Sequence, residues 1–189
     1  MTTQLGAHLK SVSLKSGLLG KKPHALEIHQ SGLLIRYKSE DVALPFAEIS
    51  AIKSLNYFTP NPVAYNFEIF NRDSDKMLDI SIPFTQKDDA TALLTAHMRF
   101  CLTDTFPQNL MHTNHILDDY VTWQDGMLYY KWRKGIKEFT PDQIDKFIEH
   151  KGTHRFTIKN SDETVGVSVA FAPNCLATIA ICQAISELS

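Results

Sequence analysis

Apolar positions along this chain recur with two periods. Alternation at period two, bounded by Gly, Pro, Asn and Asp, predicts short strands. These fall at 24–29, 33–38, 42–46, 65–70 and 77–82, and again at 117–123, 127–133, 136–139, 155–159 and 165–171. Spacing of three and four predicts two amphipathic helices. The first runs over 88–102, with Ala90, Leu93, Leu94, His97, Met98, Cys101 and Leu102 on one stripe. The second runs from about 174 to 188, with Leu176, Ala177, Ala180, Ile181, Ala184, Ile185 and Leu188. Asp88 and Asp89 stand where they cap the first helix and complement its dipole. Leu5, Leu9 and Val12 fall at helical spacing inside residues 1–20, so that stretch reads as a short helix or a frayed arm.

The pattern is written twice. Gln30-Ser31-Gly32 opens a run that continues through Pro45 to Ile49, and Gln124-Asp125-Gly126 opens one that continues through Pro141 to Ile144. Further echoes follow in order: Phe67-Glu68-Ile69 with Phe156-Thr157-Ile158, Ile80-Ser81-Ile82 with Val167-Ser168-Val169, and Ala90-Thr91 with Ala177-Thr178. The offset between copies shrinks along the chain, as it does when loops change length between fixed strands. The reading is an arm at 1–20, one small domain at 21–102, a linker at 103–114 and a second domain at 115–189.

Composition narrows the class. Apolar residues make up 43% of the 189 and charged residues 21%, ordinary for a globular chain. A net charge of −2 lacks the basic footprint of a general nucleic-acid binder, so no nucleic acid is expected as partner. No apolar run approaches the roughly 18 residues that span a bilayer. The N-terminus has no uninterrupted apolar core of a signal peptide. Cys101, Cys175 and Cys182 show no metal or redox spacing, and Cys101 and Cys182 read as small core residues. The expected setting is cytoplasmic, or peripheral at the inner face of the membrane.

Several short strands followed by one amphipathic helix, twice over, resembles tandem pleckstrin-homology-like domains, closest to the GRAM-like and bacterial branches. The residues that carry the resemblance are the Gly32 to Ser39 hairpin, Ala43-Leu44-Pro45-Phe46-Ala47-Glu48-Ile49, and Phe84 to Ala90 leading into the helix. In the second half they are Gly126, Phe139 to Ile144 and Phe171 to Ala177, with Thr-Pro in place of Pro-Phe. The resemblance implies an α+β fold, each domain a bent antiparallel β-sandwich or barrel of seven strands closed by a C-terminal helix. About six strands per half can be placed from the pattern. Family members bind phosphoinositide headgroups or peptides, the former through a basic cluster at the first hairpin. Here those turns are Gln30-Ser31-Gly32, neutral, and Gln124-Asp125-Gly126, acidic.

Candidate chemistry is sparse. Lys131, Arg133, Lys134 and Lys137 make a basic hairpin that could meet an anionic ligand or membrane, with Glu138, Asp142 and Asp145 diluting it. The eight histidines lack zinc spacing, so no metal and no cofactor are expected. No nucleophile motif or phosphate-cradling glycine loop is present. The expectation is a non-enzymatic binding or scaffolding protein that works through a protein partner or self-assembly. Peripheral association with anionic membrane is the first alternative, and a small hydrolase using His and Asp the second.

One comparison between the copies bears on partners. With the Gln-x-Gly turns aligned, Leu34, Arg36 and Lys38 match Leu128, Tyr130 and Trp132. Strand side chains alternate between faces, so an aromatic outward face in the second copy predicts a covered surface at Leu128, Tyr130 and Trp132. The alternative is a one-residue slip that turns those three toward their own core.

Overall fold

The computed structural model describes residues 5–14, 22–73, 75–102, 105–150 and 153–188. The chain divides into two compact units, Met1–Cys101 and Leu102–Ser189. Both are α+β and follow one element order.

The first unit opens with a four-stranded antiparallel meander, β1 (His8–Ser13), β2 (Ala25–His29), β3 (Gly32–Arg36) and β4 (Asp41–Pro45). A three-stranded meander follows, β5 (Ile49–Ser54), β6 (Ala64–Asn71) and β7 (Lys76–Pro83), then helix α1 (Lys87–Cys101). Alternation explains the core. Leu26, Ile28, Leu33, Ile35 and Leu44 project from one face of the first sheet, and Ile52, Phe67, Ile69, Ile80 and Ile82 come from the second. The helix adds Ala90, Leu93, Leu94, Ala96 and His97. At the Pro45 corner the chain makes one 3₁₀ turn, and the fully buried Phe46 packs on His97 with ring centroids 5.5 Å apart.

The second unit repeats this order. Its four-stranded sheet is β8 (His115–Ile116), β9 (Val121–Gln124), β10 (Met127–Trp132) and β11 (Gly135–Phe139). Its three-stranded sheet is β12 (Ile144–His150), β13 (Thr153–Ile158) and β14 (Thr164–Val167), closed by α2 (Cys175–Ser186). The Asn174 side chain caps α2, accepting from the Leu176 and Ala177 amides at 3.0 Å each. Trp123, Val121, Leu128, Phe156, Val165 and Ile185 form the core. Asp118 is buried, and its carboxylate accepts from the Tyr120, Val121 and Ser168 amides at 2.7, 2.8 and 2.6 Å. It ties the turn before β9 to the chain after β14.

Several expectations are corrected. Among the described residues each unit has seven strands, the number the resemblance implies, and the pattern did not delimit β5 and β12, after the Pro corners. The helix or arm expected at 1–20 contains strand β1, with Val12 opposite Leu26 and Lys10 opposite Ile28. Pairing along β2 satisfies the backbone groups that a short, Ser-rich helix would leave to water. Residues 1–4 and 15–20 of that stretch lie outside the described residues. The expected linker at 103–114, described from 105 onward, belongs to the second unit. There Leu110 is fully buried, and its carbonyl accepts from Trp123 Nε1 at 2.7 Å. Neither unit is a closed barrel, because each consists of two separate antiparallel sheets. On the helices, Cys101 is exposed, and Met98, Leu176 and Ala180 are half-buried, at the edges of the buried stripes; Leu188, expected on the second stripe, lies beyond the end of α2 and is exposed. Among the described residues no helix is long and apolar enough to cross a membrane.

Candidate docking face

Register decides which side chains of the second unit look outward. In the first unit His29 pairs with Gly32, so the two-residue turn is Gln30-Ser31. In the second, Gln124 pairs with Met127, so the turn is Asp125-Gly126. The two Gln-x-Gly motifs therefore differ in place by one residue. Each glycine has its own reason. Asp125 and Gly126 hold φ of +48° and +78°, the left-handed pair that a type I′ hairpin turn requires. Gly32 lies on the strand, where a Cβ would stand 2.7 Å from the Leu44 carbonyl oxygen and 2.6 Å from Leu5 Cδ2. The slip is real: Leu128 pairs across to Trp123 and Phe139 in the core.

The expected interface residues thus separate. Leu128 is fully buried in its own unit and is withdrawn from any surface. Tyr130, on the same face, is half-buried. Trp132, beyond the end of the core, is 46% exposed, with its ring centroid 6.1 Å from that of Tyr130.

The opposite face, which on β10 carries Met127, Tyr129 and Lys131, looks outward. Ile116 pairs with Thr122, Thr122 with Tyr129, and Tyr129 with Glu138, giving one row across the sheet. The next row holds Lys131 opposite Ile136, with Tyr120 alongside, its carbonyl accepting from the Lys131 amide at 2.8 Å. Ile116, Tyr120 and Ile136 are 66%, 59% and 66% exposed. The Asp125-Gly126 turn carried the signal that finds this face. Counting alternation from a type I′ Asp-Gly pair puts Leu128 inside and Tyr129 outside.

The basic hairpin is also resolved into parts. Arg133 and Lys134 form the turn between β10 and β11, and Gly135 takes φ +141° to complete it. Lys131, Arg133 and Lys134 are exposed, and none forms an ion pair among the described residues. Lys137 points to the other face. It is ion-paired with Glu163, and its Nζ lies 5.4 Å from the centroid of the Trp132 ring. The expected four-cation cluster is three cations plus a neutralised one.

No grouping of three His, Cys, Asp or Glu side chains that could hold a metal occurs among the described residues. His29 and His154 are buried on strands, and His115 Nε2 lies 2.9 Å from Thr113 Oγ1. Burial pushes the Cys175 thiol up to about 12 and Cys182 well above its usual value. Thiols so held protonated are poor nucleophiles.

No family model matches the chain, and no curated protein does. Among solved structures, a chain of the Spt16D–Pob3N heterodimer is similar over 82% of this chain and 87% of its own. The identity is 12% and the TM-score 0.35, too loose a likeness to assign a fold or a function.

Proposed function

We propose that the protein is a non-enzymatic binding or scaffolding protein, built of two pleckstrin-homology-like units and acting through protein–protein contacts of the outer face of sheet β8–β11. The family reading rests on the order in each unit: four strands, a corner, three strands and a closing helix. The docking reading rests on one observation. Ile116, Tyr120 and Ile136 share one sheet face, spread from the β8 edge to the β11 edge with Tyr129 between them, and each is more than half exposed. Apolar patches of this kind on a soluble chain mark interaction surfaces, and aromatic side chains are enriched at them. Removing such side chains from water is what makes association favourable.

The test is affinity capture with the full chain against its Ile116→Ser, Tyr120→Ser, Ile136→Ser triple variant. All three positions are exposed, so the fold is retained. Partners held by the native chain are expected to be lost from the variant. An identical set captured by both would refute the reading.

A second reading has its own support in the turn. Arg133 and Lys134 protrude with Lys131 and Trp132 beside them. Three cations contribute about 1 kcal/mol each toward an anionic bilayer, enough for weak peripheral recruitment. Flotation with phosphatidylserine vesicles at low salt, lost in Lys131→Ala, Arg133→Ala, Lys134→Ala, would support it. Absence of flotation by the native chain would remove it.

A further inference from the structure

We infer that the outer face of sheet β8–β11 is an isologous interface, and that its occupant is a second copy of this chain. The inference rests on the docking reading above and specifies the partner. Four residues at the β10–β11 edge carry it. Lys131 is opposite Ile136, and Tyr129 is opposite Glu138, two residues further along. All four project from the same face, since directly paired and alternate residues share one. They form the corners of a rectangle about 5 Å by 7 Å, set by strand separation and two residues of rise. One diagonal, Tyr129 to Ile136, is apolar. The other, Lys131 to Glu138, carries opposite charges.

That arrangement is complementary to itself. A two-fold axis laid along the apolar diagonal places Ile136 on its own counterpart and Tyr129 on its own counterpart. It also brings Lys131 of each copy opposite Glu138 of the other. A two-fold contact requires such reciprocity: what residue i offers residue j, j must offer i. Within one chain both charges are exposed, and neither forms an ion pair among the described residues. Both therefore remain for a partner. Ile116 and Tyr120 extend the apolar area on the β8 side. The same carboxylate argues against a bilayer as the occupant of this face. An anionic lipid surface laid across Tyr129 and Ile136 would press Glu138 against like charge, whereas a second copy supplies Lys131.

The experiment is light scattering of the full chain after size exclusion, over a range of concentrations at low salt. The native chain is expected to rise from 21.4 kDa toward twice that mass as concentration increases. Lys131→Glu alone, and Glu138→Lys alone, should each stay at the monomer mass, because each sets like charges opposite one another. An equimolar mixture of the two single variants should dimerise again, since every charged contact across the axis is then Glu on Lys. Recovery on mixing also shows that both variants are folded. A pair within one chain could not produce that recovery. A native chain that stays at the monomer mass throughout would overturn the inference. So would single variants that dimerise as well as the native chain. If the native chain is monomeric while the triple serine variant still loses captured partners, self-association falls and the docking reading stands.

Discussion

The outer faces of the two four-stranded sheets occupy the same place in the same frame and are finished in opposite ways. Counted from their hairpin turns, Glu27, Arg36 and Asp41 in the first unit correspond to Thr122, Lys131 and Ile136 in the second. In the first unit the three side chains form a ladder across the strands. Arg36 Nη2 donates to Glu27 Oε1 at 2.7 Å, Nε donates to the same oxygen at 3.1 Å, and Nη1 donates to Asp41. The guanidinium holds the Glu27 carboxyl below its usual range. Each of these three charges has a partner within the chain. In the second unit the ladder is gone: Lys131 keeps the cation, but an isoleucine faces it where the first unit has an aspartate. A frame with one set of backbone pairings can thus present a self-satisfied surface or an unsatisfied one, according to three side chains.

The shared frame can be broken first. Leu94→Asp in α1 or Ile181→Asp in α2 puts an unpaired carboxylate among buried apolar groups, at a cost of about 4 kcal/mol or more. Calorimetry of the full chain should lose the transition of the affected unit. A variant keeping the native thermogram would show that the closing helix does not hold its unit together.

Acid should separate the units next. His97 is buried against Phe46, and burial lowers its pKa to about 4 from 6.5. The folded unit therefore binds fewer protons than the unfolded chain between those values, so stability rises with pH there. The contribution is complete above pH 6.5 and is lost as pH falls toward 4, at most roughly 3 kcal/mol. Urea unfolding of the first unit at pH 7 and pH 4.5 should show this dependence, and His97→Phe should flatten it. An unchanged pH slope in the variant would assign the effect to other groups.

A smaller loss is expected at Asp118. Asp118→Ala leaves the Tyr120, Val121 and Ser168 amides without their acceptor, costing about 2 kcal/mol. Asp118→Asn, which retains one oxygen acceptor, should recover part of it. Equal thermal midpoints for the two variants would argue against the hydrogen bonds as the cause.

The smallest effect on stability, and the most direct on the comparison, comes from grafting one face onto the other. Thr122→Glu, Lys131→Arg, Ile136→Asp writes the ladder of the first unit into the second. These positions lie on the outer face, so the thermal midpoint should barely move. Concentration-dependent association should disappear. Association that survives the graft would place the contact elsewhere.

Much of the fold was legible in the residues. The duplicated order, both helices and most strands follow from hydrophobic period and turn chemistry, which act over a few residues. Strand β1 was not legible, because Leu5, Leu9 and Val12 fall at helical spacing, while in the strand Leu9 is exposed and Val12 buried. Only the edge of β2 settles the choice. The docking face was misassigned for a similar reason. A glycine two residues after a glutamine looks the same in sequence whether a left-handed turn needs it, as at Gly126, or a close approach does, as at Gly32.

What the sequence by itself determined is therefore local: where strands alternate, where helices carry a stripe, and that the whole order occurs twice. What only the tertiary structure decided is register and cover. A one-residue slip inverts every side chain of a strand at no cost in local pattern, so the pattern cannot report it. Packing can, because burying Trp123, Leu128 and Phe139 together is favourable and exposing them is not. Once that core is chosen, Tyr129, Lys131, Ile136 and Glu138 have no other face to occupy.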